Sequence, residues 1–245
     1  MRRIMLTIAY DGTNYSGWQI QPDKPTIEGV LNTELSKLFN EEVHVIGASR
    51  TDAGVHAEGA VAVFDTESTI PGDRYPFVIN QVLPDDICIM ESKQVSDDFH
   101  PRKINCRKTY EYRIYNDTFI PPLKRLYYHH VYGKLDIDVM NEAAKYLVGE
   151  HDFVSFSCGR SYTPTTVRTI YDLSVRREDK EVIISVTGNG FLYNMVRIIS
   201  GTLIEIGQGK YSPQAVNDIL EKKDRTSAGQ TVPAKGLCLV RYDFF

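Results

Sequence analysis

The chain has 245 residues, of which 42% are apolar and 24% charged, and its formal net charge is −4 at pH 7. Those values suit one or two soluble globular domains whose cores need no staples. They exclude a disordered chain, a collagen-like repeat and a small disulfide scaffold. The acidic balance argues against a nonspecific nucleic-acid coat, yet leaves room for a local basic patch.

Residues 3–10 predict a strand that Asp11-Gly12 ends. Residues 26–39 carry Ile27, Val30, Leu31, Leu35 and Leu38 at helical spacing, with Thr26 as the N-cap. Strands follow at 42–48 and 59–66, then a short helix at 75–82 behind the Pro71-Gly72 break, then a strand at 86–95. The order is β-α-β-β-α-β. The second half repeats it, with a strand at 106–115 and a helix at 136–147. A hairpin pairs 167–176 with 181–188 across Glu178-Asp179-Lys180. A helix over 191–206 puts Leu192, Met195, Val196, Ile199, Leu203 and Ile206 on one stripe. A short helix near 213–222 and a strand at 237–244 close the chain. The expected fold class is α+β, with two ferredoxin-like β-α-β-β-α-β domains at residues 1–104 and 105–245. Such folds host many activities, so function has to come from the side chains.

Cys88, Cys106, Cys158 and Cys238 form no C-x-x-C pair, so the spacing of a structural zinc site is missing. Met1-Arg2-Arg3 runs straight into a strand-like segment, without a secretory pattern. The longest apolar stretch, 191–206, contains Asn194 and Arg197 and is too short to span a bilayer. These features predict a cytoplasmic protein with reduced thiols and no membrane partner.

Common cofactor motifs are missing. Gly188-Asn189-Gly190 lacks the third glycine of a dinucleotide fingerprint, because Tyr193 stands there. Gly209-Lys210 lacks the upstream glycine of a P-loop. His44, His56, His100, His129, His130 and His151 show no metal-ligand spacing and read as surface or satisfied histidines. Residues 235–242 match the skeleton of an RNA-recognition strand, but Leu237, Cys238 and Leu239 replace its stacking aromatics. A core strand is the better reading.

The densest constellation is 47–57, GASRTDAGVHA. Arg50 and Asp52 stand two apart, so in an extended chain they point the same way and the cation would keep the carboxylate ionised. Ala53-Gly54 permits a tight turn that leaves the carboxylate at a loop tip. The competing reading is a turn with an ordinary surface ion pair. Segment 100–125 sets Arg102, Lys103, Arg107, Lys108, Arg113, Lys124 and Arg125 against only Glu111 and Asp117. It interleaves Tyr110, Tyr112 and Tyr115, which suits phosphate contacts with base stacking; a solvated strand face is the alternative. Arg197 sits in the middle of the most apolar helix, either snorkelling at its edge or partnering a buried carboxylate.

Five segments then resemble, in order and from end to end, the TruA family of tRNA pseudouridine synthases. They are Tyr10-Asp11-Gly12 with Tyr15-Ser16-Gly17-Trp18-Gln19, and Arg50-Thr51-Asp52-Ala53-Gly54-Val55-His56-Ala57. Arg107-Lys108-Thr109-Tyr110-Glu111-Tyr112 follows, then Phe191-Leu192-Tyr193-Asn194-Met195-Val196-Arg197, and last Thr231-Val232-Pro233-Ala234-Lys235-Gly236-Leu237. The resemblance implies a homodimer whose two domains join their sheets into one extended antiparallel sheet. It implies that Asp52 is the catalytic carboxylate, that Tyr110 stacks on the target base and that Arg197 pairs with Asp52. Arg50 is a further substrate-binding candidate, and Arg102, Lys103 and Arg107 are candidate RNA contacts. The implied substrate is tRNA, at uridines 38, 39 and 40 of the anticodon stem-loop, with no metal and no cofactor. Three departures bear on substrate choice: Ser49 where the family usually has Gly, the segment 157–166, and the acidic charge. A paralogue acting on another RNA such as ribosomal RNA is the alternative enzyme. A noncatalytic RNA-binding protein has no need of Asp52, Tyr110 and Arg197 together.

Overall fold

The computed structural model describes residues 1–159 and 165–245. Half of the unusual segment 157–166 expected to bear on substrate choice, residues 160–164, lies outside the described residues. The chain divides into two units, Met1–Cys106 with Leu239–Phe245, and Arg107–Cys238.

The first unit runs β1 (Arg2–Tyr10), α1 (Ile27–Phe39), β2 (Ile46–Gly47), β3 (His56–Thr66), α2 (Tyr75–Ile79) and β4 (Ile87–Val95). β1 lies between β4 and β3 and is antiparallel to both. β2 pairs antiparallel with β3 through Ile46↔Val63 and Gly47↔Ala62. Alternation along β1 buries Ile4, Leu6, Ile8 and Tyr10. β3 is buried at nearly every position, as befits a strand covered on both faces. α1 starts where Thr26 Oγ1 accepts the Gly29 N–H at 3.3 Å, and it buries Ile27, Leu31 and Leu35. Phe64 of β3 packs between Phe39 and Tyr75, with centroids 5.9 and 5.7 Å away.

The strand expected at 42–48 shrinks to β2 for a physical reason. Ser36 Oγ and Asn32 Oδ1 of α1 accept the Val43 and Val45 N–H groups at 2.9 and 2.8 Å, so those donors are not in a ladder. The helix expected at 75–82 stops at Ile79. Asn80 then turns its carboxamide to both backbone groups of Ile89, at 2.7 and 2.8 Å.

The second unit holds β5 (Cys106–Asn116), β6 (His129–Val131), α3 (Ile137–Lys145), β7 (Gly149–Asp152), β8 (Val167–Glu178), β9 (Glu181–Gly188), α4 (Met195–Gly207) and α5 (Ala215–Lys222). The strand order β5-β9-β8-β7 is antiparallel throughout. β6 departs from the purely antiparallel expectation: it pairs parallel with β5, through Ile114↔His129 and Asn116↔Val131. The connection over 117–128 is long enough for the return that parallel pairing needs. β6 and β7 were illegible in the sequence, because His-His-Val and Gly-Glu-His-Asp are too short to show alternation. The expected hairpin is β8-β9, and Asp179 turns it with φ 54°.

β10 (Leu237–Phe244) is the core strand expected from its leucines: Leu237, Cys238 and Leu239 are all buried. Its residues from Leu239 onward belong to the first unit, where it neighbours β3. The fold is thus mixed α+β. No helix among the described residues is long and apolar enough to cross a membrane.

Candidate active site

In the first unit, Asp52 lies in the loop between β2 and β3 and is half-buried. The loop is backed by the segment that follows β1. The Trp18 N–H donates to the Thr51 carbonyl at 3.1 Å, and the Gly54 N–H donates to the Tyr15 carbonyl at 3.2 Å. The hydroxyls of Tyr10 and Thr51 share a buried hydrogen bond of 2.8 Å. The two residues flanking Asp52 on its N-terminal side and beyond the Ala53 tip are therefore fixed from one wall. Gly17 makes the close approach possible. Its φ is +90°, and a Cβ there would stand 2.5 Å from the Thr51 carbonyl oxygen. The expected turn is present: the Val55 N–H closes onto the Asp52 carbonyl at 3.2 Å, with Gly54 at φ +75°.

Other residues of the loop settle around this frame. Arg50 is exposed, and its hydrogen bond goes to Gln19 Oε1 at 3.3 Å rather than to Asp52. Ser49 buries its hydroxyl without a hydrogen bond among the described residues. His56 is buried, with Nδ1 3.1 Å from both the Gly12 nitrogen and an Asp11 carboxylate oxygen. Tyr15 donates to Asp86 at 2.5 Å, and burial together with that bond pushes its phenol pKa up. Arg102 anchors near the loop, since its Nε donates to the Gly47 carbonyl at 2.7 Å. Arg102 and Lys103 are both exposed.

In the second unit, the basic and aromatic residues of β5 interleave in sequence but separate in space. Tyr110, Tyr112 and Ile114 are buried on one side of the strand, while Arg107, Thr109, Glu111 and Arg113 alternate with them. Tyr115 is buried too, edge-on to Tyr128 at 6.4 Å. The solvated strand face that was the alternative is therefore absent on this side, where the tyrosines are packed. Glu111 neutralises part of the charge by pairing with Arg113 and Arg176, at 3.3 and 2.8 Å. Lys124 pairs with Glu181. Arg107 stays exposed, its guanidinium 4.9 Å from the Tyr171 ring centroid.

Tyr110 is 8% exposed and stands edge-on to Phe191, at 5.3 Å and 86°. Tyr112 is a core residue whose hydroxyl donates to the Pro233 carbonyl at 2.9 Å; burial pushes its phenol pKa up. His129 packs edge-on to Tyr112 at 6.1 Å, and burial, with Lys235 and His130 adding to it, holds it down to about 4. It is half-buried.

Arg197 is not in the middle of its helix. Asn194 has φ 61°, so residues 191–194 lie outside α4 and Arg197 falls in its first turn. A cation there opposes the helix dipole, so stability alone does not explain it. Its Nε donates to the Val232 carbonyl at 2.7 Å and its Nη1 to Asn194 Oδ1 at 2.7 Å. Neither holder was singled out for that role in the sequence. The only signal was that both fall in motifs, FLYNMVR and TVPAKGL.

The family described as tRNA pseudouridine synthase matches residues 6–102 and 143–244. A tRNA pseudouridine synthase A of Acetivibrio thermocellus is 50% identical over 240 residues, covering 98% of each chain. One from Brevibacillus brevis is 48% identical over 239 residues, again covering 98% of each. One from a Thermoanaerobacter species is 47% identical over 241 residues, covering 98% of this chain and 99% of the relative. Among solved structures, an H/ACA RNP bound to a substrate RNA containing 2′-deoxyuridine aligns at 14% identity and TM-score 0.34. It covers 84% of this chain and 54% of that one, a likeness too slight to argue from. With most of its length matched to the family and near-half identity to full-length members, the chain belongs to the tRNA pseudouridine synthase family.

Proposed function

We propose that this enzyme isomerises uridine to pseudouridine at positions 38, 39 and 40 of the tRNA anticodon stem-loop, with Asp52 as its catalytic carboxylate. The observation that carries the reading is the frame around Asp52. A half-buried carboxylate sits in a loop whose neighbours are pinned by Tyr10, Tyr15 and Trp18.

The chemistry asks for such a group. The reaction breaks C1′–N1, turns the uracil and joins C5 to C1′. Cleavage builds positive charge on the sugar, and an ionised carboxylate at that carbon stabilises or captures it. The uridine must first leave its stack, so the site needs an aromatic wall. We assign that wall to Tyr110, whose phenol also assists removal of the C5 proton. Arg197 pairs with Asp52 and keeps it ionised. Arg50 contacts the substrate, and exposed Arg102, Lys103 and Arg107 contact phosphates. No metal or cofactor takes part in this scheme.

Residues 1–104, carrying the Asp52 loop, and 105–245, carrying Tyr110 and Arg197, are read as ferredoxin-like domains, with the correction that Leu239–Phe245 cluster with the first unit because the last strand pairs there. The order β4-β1-β3, with β2 also on β3, supports this for the first. Their sheets join into one extended sheet in this reading, and the enzyme is a cytoplasmic homodimer. Four free cysteines fit a reducing compartment. The test replaces each of uridines 38, 39 and 40 singly by cytidine in an anticodon stem-loop tRNA and maps pseudouridine by sequencing. Modification confined to the remaining uridines of that set is expected; modification elsewhere in the molecule contradicts the site assignment.

A further inference from the structure

We propose that Asn194 and the Thr231-Val232 loop form a clamp that positions Arg197, an inference resting on the reading above that Arg197 serves Asp52. The clamp has two arms. Val232 offers its carbonyl to Nε and Asn194 offers its carboxamide oxygen to Nη1, each at 2.7 Å. Those two bonds fix a planar guanidinium in both position and rotation, and they leave the Nη2 edge for a further acceptor.

Asn194 is diverted from the usual work of its position. A residue preceding a helix normally has extended backbone and caps the first turn with its side chain. Asn194 instead has φ 61° and ψ 6°, and it makes no side-chain cap bond. Asparagine is among the few residues other than glycine that enter this region readily. Its carboxamide goes to Arg197 instead.

The second arm is tied to the first. The Cys158 sulfur lies 3.7 Å from Thr231 Oγ1, which accepts from Arg225 Nη2 at 2.9 Å. The Cys158 N–H donates to the Tyr193 carbonyl at 3.2 Å, beside Asn194, and Thr231 adjoins Val232, so the path Asn194–Tyr193–Cys158–Thr231–Val232 closes a ring through Arg197. Arg225 holds the loop further back, with Nη1 on the Ala228 carbonyl at 3.3 Å. Tyr112 holds it on the other side of Val232, through the Pro233 carbonyl at 2.9 Å. The ring gives the closing motif TVPAKGL a task in the reaction, since it supplies one of the two contacts that aim Arg197.

The test is a double-mutant cycle on Asn194→Gly and Arg197→Ala, read as kcat and KM for tRNA alongside thermal melting. Glycine keeps the left-handed backbone and removes only the carboxamide. Asn194→Gly is expected to lower kcat roughly ten- to a hundredfold, with KM within about twofold and the melting transition retained. Adding it to Arg197→Ala is expected to cost nothing more, because the clamp acts through that side chain. Thr231→Val, which keeps shape and loses the hydroxyl, is expected to lower kcat roughly threefold with KM unchanged, and it carries the test if Asn194→Gly fails to fold. A wild-type kcat in folded Asn194→Gly or in Thr231→Val, beside an impaired Arg197→Ala, overturns the clamp alone. A loss that adds in full to that of Arg197→Ala also overturns it. A wild-type kcat in Arg197→Ala overturns both the clamp and the reading of Arg197 on which it rests.

Discussion

The proposed reaction rests on three side chains, Arg197, Tyr110 and Asp52. Arg197 stands in the first turn of α4 against the helix dipole, and Tyr110 gives its edge to Phe191 rather than a face to solvent. Asp52 is half-buried at the end of a run that Tyr10, Trp18 and Tyr15 pin in place. For Tyr110 the account predicts that Tyr110→Phe retains tRNA affinity while slowing the step after glycosidic cleavage by about a hundredfold. Quench-flow with tRNA carrying 5-tritiated uridine measures this step; unchanged tritium-release kinetics remove the phenol from proton transfer. At this scale the sequence was informative about identity and weak about geometry. Asp52, Tyr110 and Arg197 all stood out in it. The hydrogen bond from Arg50 to Gln19 did not, because spacing along an extended strand says nothing about a loop that bends between the two residues. The holders of Arg197 were hidden for a related reason. A backbone carbonyl has no signature in sequence, and an asparagine outside a helix reads as an ordinary turn residue.

Among the elements, the loop joining β2 to β3 depends on the segment after β1 as much as on itself. Gly17 is the narrowest point, with φ +90° and the Thr51 carbonyl where a Cβ would go. Gly17→Ala is therefore expected to destabilise the protein by roughly 1–3 kcal/mol and to lower kcat more than it lowers tRNA affinity. Melting together with steady-state kinetics checks both; a variant as stable and active as the parent shows that the close approach is dispensable. The elements themselves were largely legible. Periodic segments such as α1, β1, β3, β5 and the β8-β9 hairpin announced themselves through burial patterns. What failed were boundaries and short strands. β2 lost residues because polar side chains of α1 took its backbone donors, and α4 began late because Asn194 left the helical region. Those are tertiary and conformational choices that hydrophobic periodicity does not encode.

For the whole molecule, a net charge of −4 and a polyanionic substrate are compatible only if the basic residues are distributed unevenly. Within segment 100–125, Arg113 pairs with Glu111 and Lys124 with Glu181, while Arg102, Lys103 and Arg107 are among its exposed residues. Replacing those three with Ala is expected to flatten the dependence of log K on log salt by about two to three, approaching one per lost phosphate contact. Filter binding across a salt series measures the slope, and an unaltered slope moves the RNA path elsewhere. The mixing of strand directions, with β6 parallel on β5, is the feature of this scale that the sequence withheld, because pairing partners are set by the chain's return path. The central claim remains that Asp52 drives uridine isomerisation in tRNA. Its most direct test is tritium release from RNA carrying 5-tritiated uridine, offering tRNA beside ribosomal RNA, to the wild-type enzyme and to Asp52→Asn. The account predicts release from tRNA by the wild type alone, with Asp52→Asn still binding tRNA but slower by roughly 10⁴-fold or more. Substantial release by Asp52→Asn, or release from ribosomal RNA but not from tRNA, would contradict it.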